Sequence, residues 1–212
     1  MKYVVLFIVA FAFLSCYTQR EIIAKSSIKL EGKNTDIRKL IEIDGYYAYS
    51  GQRYNSMMFF EDGSWVIFGF ESEIPKEERQ TNMSKAVSSW KPGSKLRWGL
   101  YWGVYSIQND TIIVHEYDIP GFLVKGWDIR EQRYKVIDRK TIQEVYYELL
   151  LAPDDTYKTY NPWRNDELRY FFPADSLPPS DSWLKEEKWI WRNESDWKKY
   201  MQDIERKKKG KE

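Results

Sequence analysis

The imidazole and thiol chemistry open to this chain of 212 residues rests on one histidine, His115, and one cysteine, Cys16. A tetrahedral zinc site draws on several such side chains, and the chain has no histidine cluster to supply them. His115 lies in "TIIVHEYD", on the same strand face as Ile113 and Tyr117, where a lone histidine reads as a packed or half-exposed sheet residue rather than a base. Asp154-Asp155 could hold a metal or divide acid and base roles, but it directly follows Pro153 in "LLLAPDDTYKTYNPW" and reads as turn chemistry. There is no glycine-rich phosphate loop: Gly99 and Gly103 stand among Trp98, Tyr101 and Trp102 inside a strand, where glycine permits a bend or a close approach. The sequence therefore assigns no catalytic residue, no metal ligand and no cofactor, and its reading leans away from an enzyme.

What the chain has in excess is aromatic rings. Ten Trp, sixteen Tyr and ten Phe make up 17% of it, more than a domain of this size needs to fill one core. Trp98, Leu100, Trp102 and Val104 alternate with Tyr101, Tyr105 and Ile107, so both faces of that strand carry rings. Flat apolar area with a polar handle suits amphipathic ligands, sugar rings and protein partners alike. Wide barrels also use large side chains simply as filling.

The first sixteen residues give Cys16 a role. Lys2 precedes an apolar run from Val4 to Leu14, which fits a signal-peptide core and is shorter than the roughly 20 residues of a membrane span. Phe13-Leu14-Ser15-Cys16 resembles the lipobox of bacterial lipoproteins, with Phe13 where leucine is usual. That resemblance implies cleavage before Cys16, acylation of its sulfur (palmitate among the chains), and a place in the cell envelope, at the bacterial outer membrane or its periplasmic face. An acylated thiol also explains a cysteine that has no disulfide partner. Two or more acyl chains hold a protein stably at a bilayer without a spanning helix.

Removing residues 1–15 takes Lys2 alone from 33 basic residues and leaves 32, against 32 acidic ones. Such a balance argues against a nucleic-acid partner, whose phosphates call for a basic excess. Residues 206–212 form a basic tail that reads as a frayed helix end, with anionic lipid headgroups as a secondary contact.

Residues 16–35 read as a polar tether and residues 36–205 as one domain. Asp36 is placed to cap a short helix with Ile37, Leu40 and Ile41 on one face. Eight β-rich segments follow: Tyr46 to Ser50, Asn55 to Glu61, Ser64 to Phe70, Arg97 to Ile107, Thr111 to Tyr117, Trp127 to Asp138, Thr141 to Leu151 and Leu168 to Phe172. Glu61-Asp62-Gly63, Gln108-Asn109-Asp110 and Asp138-Arg139-Lys140 supply tight turns, and sequential hairpins predict an eight-stranded antiparallel up-and-down barrel, which leaves no open edge. Glu71 to Pro92 reads as a helical insertion. Trp183 to Trp191 leads into a C-terminal helix, capped by Asn193 or Ser195, whose face of Trp197, Tyr200, Met201 and Ile204 docks on the barrel wall.

The short helix running into Gly45-Tyr46-Tyr47, then "FFEDGSWVIFGF", "WGVYSIQNDTIIV" and "QRYKVIDRKTIQEV", is similar to the pattern of lipocalin-like domains, with Tyr47 where lipocalins carry the tryptophan of Gly-x-Trp. The resemblance implies a cavity for a small apolar or amphipathic ligand, and the candidate lining residues are Trp65, Ile67, Trp98, Trp102 and Tyr147. The leading expectation is thus a non-enzymatic, membrane-anchored binding module. Two alternatives stand beside it. One is a scaffold presenting Trp183 to Trp191 and the last helix to an envelope protein; the other is a carbohydrate-binding lipoprotein using aromatics with Asp128 and Glu131. Asp110-Thr111-Ile112 and Asp175-Ser176-Leu177 also resemble an O-glycosylation acceptor motif.

Overall fold

The computed structural model describes residues 23–49, 55–69, 100–118, 128–151, 167–174, 177, 180 and 182–210. Cys16 and the leader, Trp98, the 71–92 insertion and Asp154-Asp155 lie outside the described residues.

Eight strands, β1 (Gly45–Tyr49), β2 (Asn55–Phe59), β3 (Ser64–Gly69), β4 (Leu100–Gln108), β5 (Thr111–Asp118), β6 (Asp128–Asp138), β7 (Thr141–Leu151) and β8 (Leu168–Pro173), pair in sequence order. Antiparallel pairing of β1 with β8, from Gly45↔Pro173 to Tyr49↔Arg169, closes them into the expected up-and-down barrel. The tight turns form where turn chemistry placed them. Gly63 takes φ 91° and Asn109 φ 56°, both in the left-handed region. Asp138 accepts a hydrogen bond from the Lys140 amide at 2.7 Å, bending the chain between β6 and β7.

Alternation along each strand sorts the side chains into two apolar sets, and contacts across the barrel show which is internal. Phe59 on β2 meets Tyr134 on β6 edge to face at 6.4 Å, although three strands lie between them around the wall. Their set, with Tyr47, Met57, Trp65, Ile67, Tyr105, Ile112, Val114 and Ile142, lines the inside of the barrel. One end is plugged. A 3₁₀ turn, Ile37–Lys39, lies across it and inserts Ile37 and Ile41, both fully buried. Asp36 itself takes φ 63° and makes no side-chain cap, contrary to expectation; its carboxylate pairs with Lys39 at 3.0 Å instead. The plug is tied to the turns at that end by Thr35 N–H to Glu61 O, Glu42 N–H to Arg139 O, and Arg139 with the Glu42 carboxylate, each 2.8–2.9 Å.

The second apolar set lies outside the wall and is sheathed by the segments that flank the barrel, with Ile28 and Leu30 on one side and Leu184 to Tyr200 on the other. Part of the stretch read as tether is packed here: Ser26, Ile28 and Leu30 are buried, and Leu30 bridges in parallel to Trp191. Two short 3₁₀ helices, Trp183–Glu186 and Lys188–Ile190, contribute Leu184 and Ile190, and Trp189 meets Tyr117 at 5.6 Å. The C-terminal helix α1 (Glu194–Lys209) lays Trp197 and Tyr200 on the same layer; Asn193 precedes it without a side-chain cap. The surplus of rings thus packs on both surfaces of one sheet: Tyr46 and Trp102 outside, Tyr47 and Tyr105 inside.

A buried ammonium fastens the coat to the β2–β3 turn. Lys185 Nζ donates to the Asp62 carboxylate and to the carbonyl and hydroxyl oxygens of Ser180, while the other Asp62 oxygen receives the Ser64 amide and hydroxyl at 3.0 and 2.6 Å. Burial alone would raise the Asp62 carboxyl, but the charge and hydrogen bonds of Lys185, with those of Ser64, outweigh it and hold the group below its ordinary range.

Candidate functional site

The barrel interior changes character along its axis. Around the plug the inward residues are apolar and sealed. Farther along, the inward register of β1, β4, β5, β6, β7 and β8 carries Tyr49, Tyr101, Glu116, Arg130, Gln132, Tyr134, Glu144, Tyr147 and Arg169. Nine polar or charged groups inside a barrel would be costly unless partnered; here seven of them form two hydrogen-bonded sets.

In the first, Arg169 Nη2 donates to Tyr49 Oη at 2.6 Å and to Glu144 Oε2 at 3.1 Å, and Tyr49 Oη donates to the same carboxylate oxygen at 2.8 Å. The guanidinium lies 3.9 Å above the Tyr49 ring and 5.7 Å from that of Tyr134, adding cation–π attraction. In the second, Arg130 donates to Glu116 Oε1 and Gln132 Nε2 to Glu116 Oε2, each at 2.7 Å, and the Tyr134 hydroxyl donates to Gln132. Burial, the largest influence, raises the phenols of Tyr49 and Tyr134, so both act as neutral donors at physiological pH.

Exposure rises toward the end opposite the plug. Trp65 and Tyr134 are wholly buried, yet the Arg130 side chain is 24% exposed and Tyr101, beneath it at 5.7 Å, is 37% exposed. The longer connections, 50–54, 70–99, 119–127 and 152–167, all leave the strands at that end. The interior is therefore a cup: apolar at its base, lined higher up by neutral donors and compensated charges, and reached by solvent at its rim. Gly103 shapes its wall. A Cβ there would lie 2.5 Å from the His115 carbonyl and 2.9 Å from the Trp65 ring, so only glycine leaves room for both at this point of β4. The Trp65 indole N–H is buried without a hydrogen-bond partner.

Of the lining residues expected from sequence, Trp65, Ile67 and Tyr147 do share the inward face. Trp102 does not. It points outward and stacks on Phe60 at 6.0 Å beneath the C-terminal coat. Sequence reasoning missed the polar residues of the cup, whose only signal was charge at alternate positions of β5 to β8, the same signal a solvated face gives. His115 and Glu131 stand on the outer wall. His115 is fully buried with Nε2 3.0 Å from Glu131 Oε2, and Glu131, also bonded to Arg133, is held below the ordinary carboxyl range first by the His115 hydrogen bond. Beside them a depression of about 190 Å³ opens between Ser27, Ile28, Ile113 and Arg133. Among the described residues no cluster of three His, Cys, Asp or Glu could hold a metal ion, and no helix is long and apolar enough to cross a membrane.

The architecture defines a closed eight-stranded antiparallel barrel, consistent with the lipocalin-like class. No family model, curated protein or solved structure matches the chain.

Proposed function

We propose that the protein is a non-enzymatic binding module of the cell envelope, tethered through a lipid on Cys16, that takes a small amphipathic ligand into the open half of its barrel. The observation that carries the reading is the gradient inside the barrel, from sealed apolar base to a polar rim in contact with solvent. A ligand would set its apolar part toward Ile67 and Met57 and its polar part against Tyr49, Tyr101 and Gln132. The scaffold alternative is less well supported, because Trp189 and Trp191 are spent on the barrel's own wall.

The test is fluorescence titration of the full chain with fatty-acid, fatty-alcohol and heme-like probes, repeated on Tyr101→Arg, which narrows the rim without touching the base. Saturable binding weakened by that substitution is the expected result; silence across all probes in the folded protein removes the reading. The anchor is tested separately. Buried Ser26 lies ten positions after Cys16, a reach of at most about 35 Å. Cys16→Ala should move the protein from the membrane fraction to the soluble one, and unchanged partitioning refutes the tether.

A further inference from the structure

Resting on that reading, we infer that the cup selects an amphipathic ligand whose polar group is uncharged, such as a hydroxyl or ester, and rejects the corresponding carboxylate. Both guanidinium groups described in the cup are already neutralised from within: Arg169 by Glu144 at 3.1 Å and Arg130 by Glu116 at 2.7 Å. Each carboxylate is in turn held by a second donor, Tyr49 on Glu144 and Gln132 on Glu116. The described lining therefore offers hydrogen-bond donors without net positive charge.

An entering carboxylate loses its water shell and meets cations whose charge is compensated, so its desolvation goes unrepaid. To recover that cost it would have to displace Glu116 or Glu144, leaving one of them unpaired in the barrel. A hydroxyl or ester carries a smaller desolvation cost and is met by the second N–H of the Gln132 amide, whose first is given to Glu116.

The experiment compares dodecanol with dodecanoate on the full chain by intrinsic tryptophan fluorescence, at a pH where the acid is ionised. Dodecanol should bind at least about tenfold more tightly. Glu116→Gln removes one negative charge from beside Arg130 at the partly exposed rim and should shift the ratio toward dodecanoate by about tenfold. Arg130→Gln should shift it the other way, and the two substitutions combined should restore the native ratio, with circular dichroism confirming that each variant is folded. Equal or tighter dodecanoate binding by the native chain, or a ratio unmoved by either single variant, overturns the inference while leaving the binding module standing. If neither probe binds, the ligand-cup reading fails and takes the inference with it.

Discussion

Replacing either partner of the Lys185–Asp62 pair should destabilise the protein, but by unequal amounts. The Lys185 side chain is 5% exposed and that of Asp62 33% exposed. In Asp62→Asn the ammonium stays buried with only the Ser180 oxygens for company, and an uncompensated charge of that kind costs about 3–5 kcal/mol. In Lys185→Met the carboxylate left behind keeps its bonds to Ser64 and can take up water through its exposed side, so the loss is nearer to about 1–3 kcal/mol. The double variant removes both charges and should recover most of the deficit of Asp62→Asn. Urea unfolding followed by tryptophan fluorescence, comparing midpoints at constant slope, reads all three.

The pH dependence has a defined sign. The folded Asp62 carboxyl lies below its unfolded value, so its contribution is complete above the unfolded value, about 3.9, and is lost as pH falls through the lower, folded one. The native protein and Asp62→Asn should therefore converge in stability only in that acidic window. If Lys185→Met costs as much as Asp62→Asn, or if the stability gap between the native protein and Asp62→Asn persists unchanged through that window, the account of this pin is wrong.

Leu30→Ala empties a site only 1% exposed between the N-terminal arm and Trp191, and should cost about 2–5 kcal/mol in denaturant unfolding. Amide exchange should accelerate first at Leu30 and Arg192, whose N–H groups bond to Ile190 O and Leu30 O; equal acceleration throughout the barrel interior would contradict a separately attached coat. Gly103→Ala drives a methyl group against the His115 carbonyl and should cost about 1–3 kcal/mol by thermal melting. Gly210→Ala, where a Cβ meets nothing closer than 3.5 Å, is its neutral control.

The strands and their turns were legible because Glu61-Asp62-Gly63, Gln108-Asn109-Asp110 and Asp138-Arg139-Lys140 punctuate alternating apolar runs, and each signal is local. β7 was bounded to the residue, Thr141 to Leu151, and β2, β3, β5 and β6 within two. Which face pointed inward was harder to read. "LYWGVYSIQ" offers two apolar sets, and nothing within β4 tells Trp102 from Tyr105; the decision belongs to Phe60, Leu184 and Ile190, far away in sequence. For the same reason Ile28 and Leu30 passed as tether, since two aliphatic residues in a polar stretch show no period. The charges of the cup were not singled out because Glu116, Arg130 and Glu144 meet their partners only once β5, β6, β7 and β8 lie side by side around one axis.

The sheath made by the segments on either side of the barrel constrains how the molecule is assembled in time. Lys29 reaches the carbonyl of Trp189, 160 positions later, and β1 finds its second neighbour only in β8. A nascent chain emerging from the ribosome has neither seam available until β8 and Trp189 have appeared, so hairpins from the middle can form early but the cylinder cannot shut. Loss of the stretch from Trp183 to Arg192 would therefore do more than trim an appendage: it would leave Ile28 and Leu30, and the aromatic surface they shelter, without a lid.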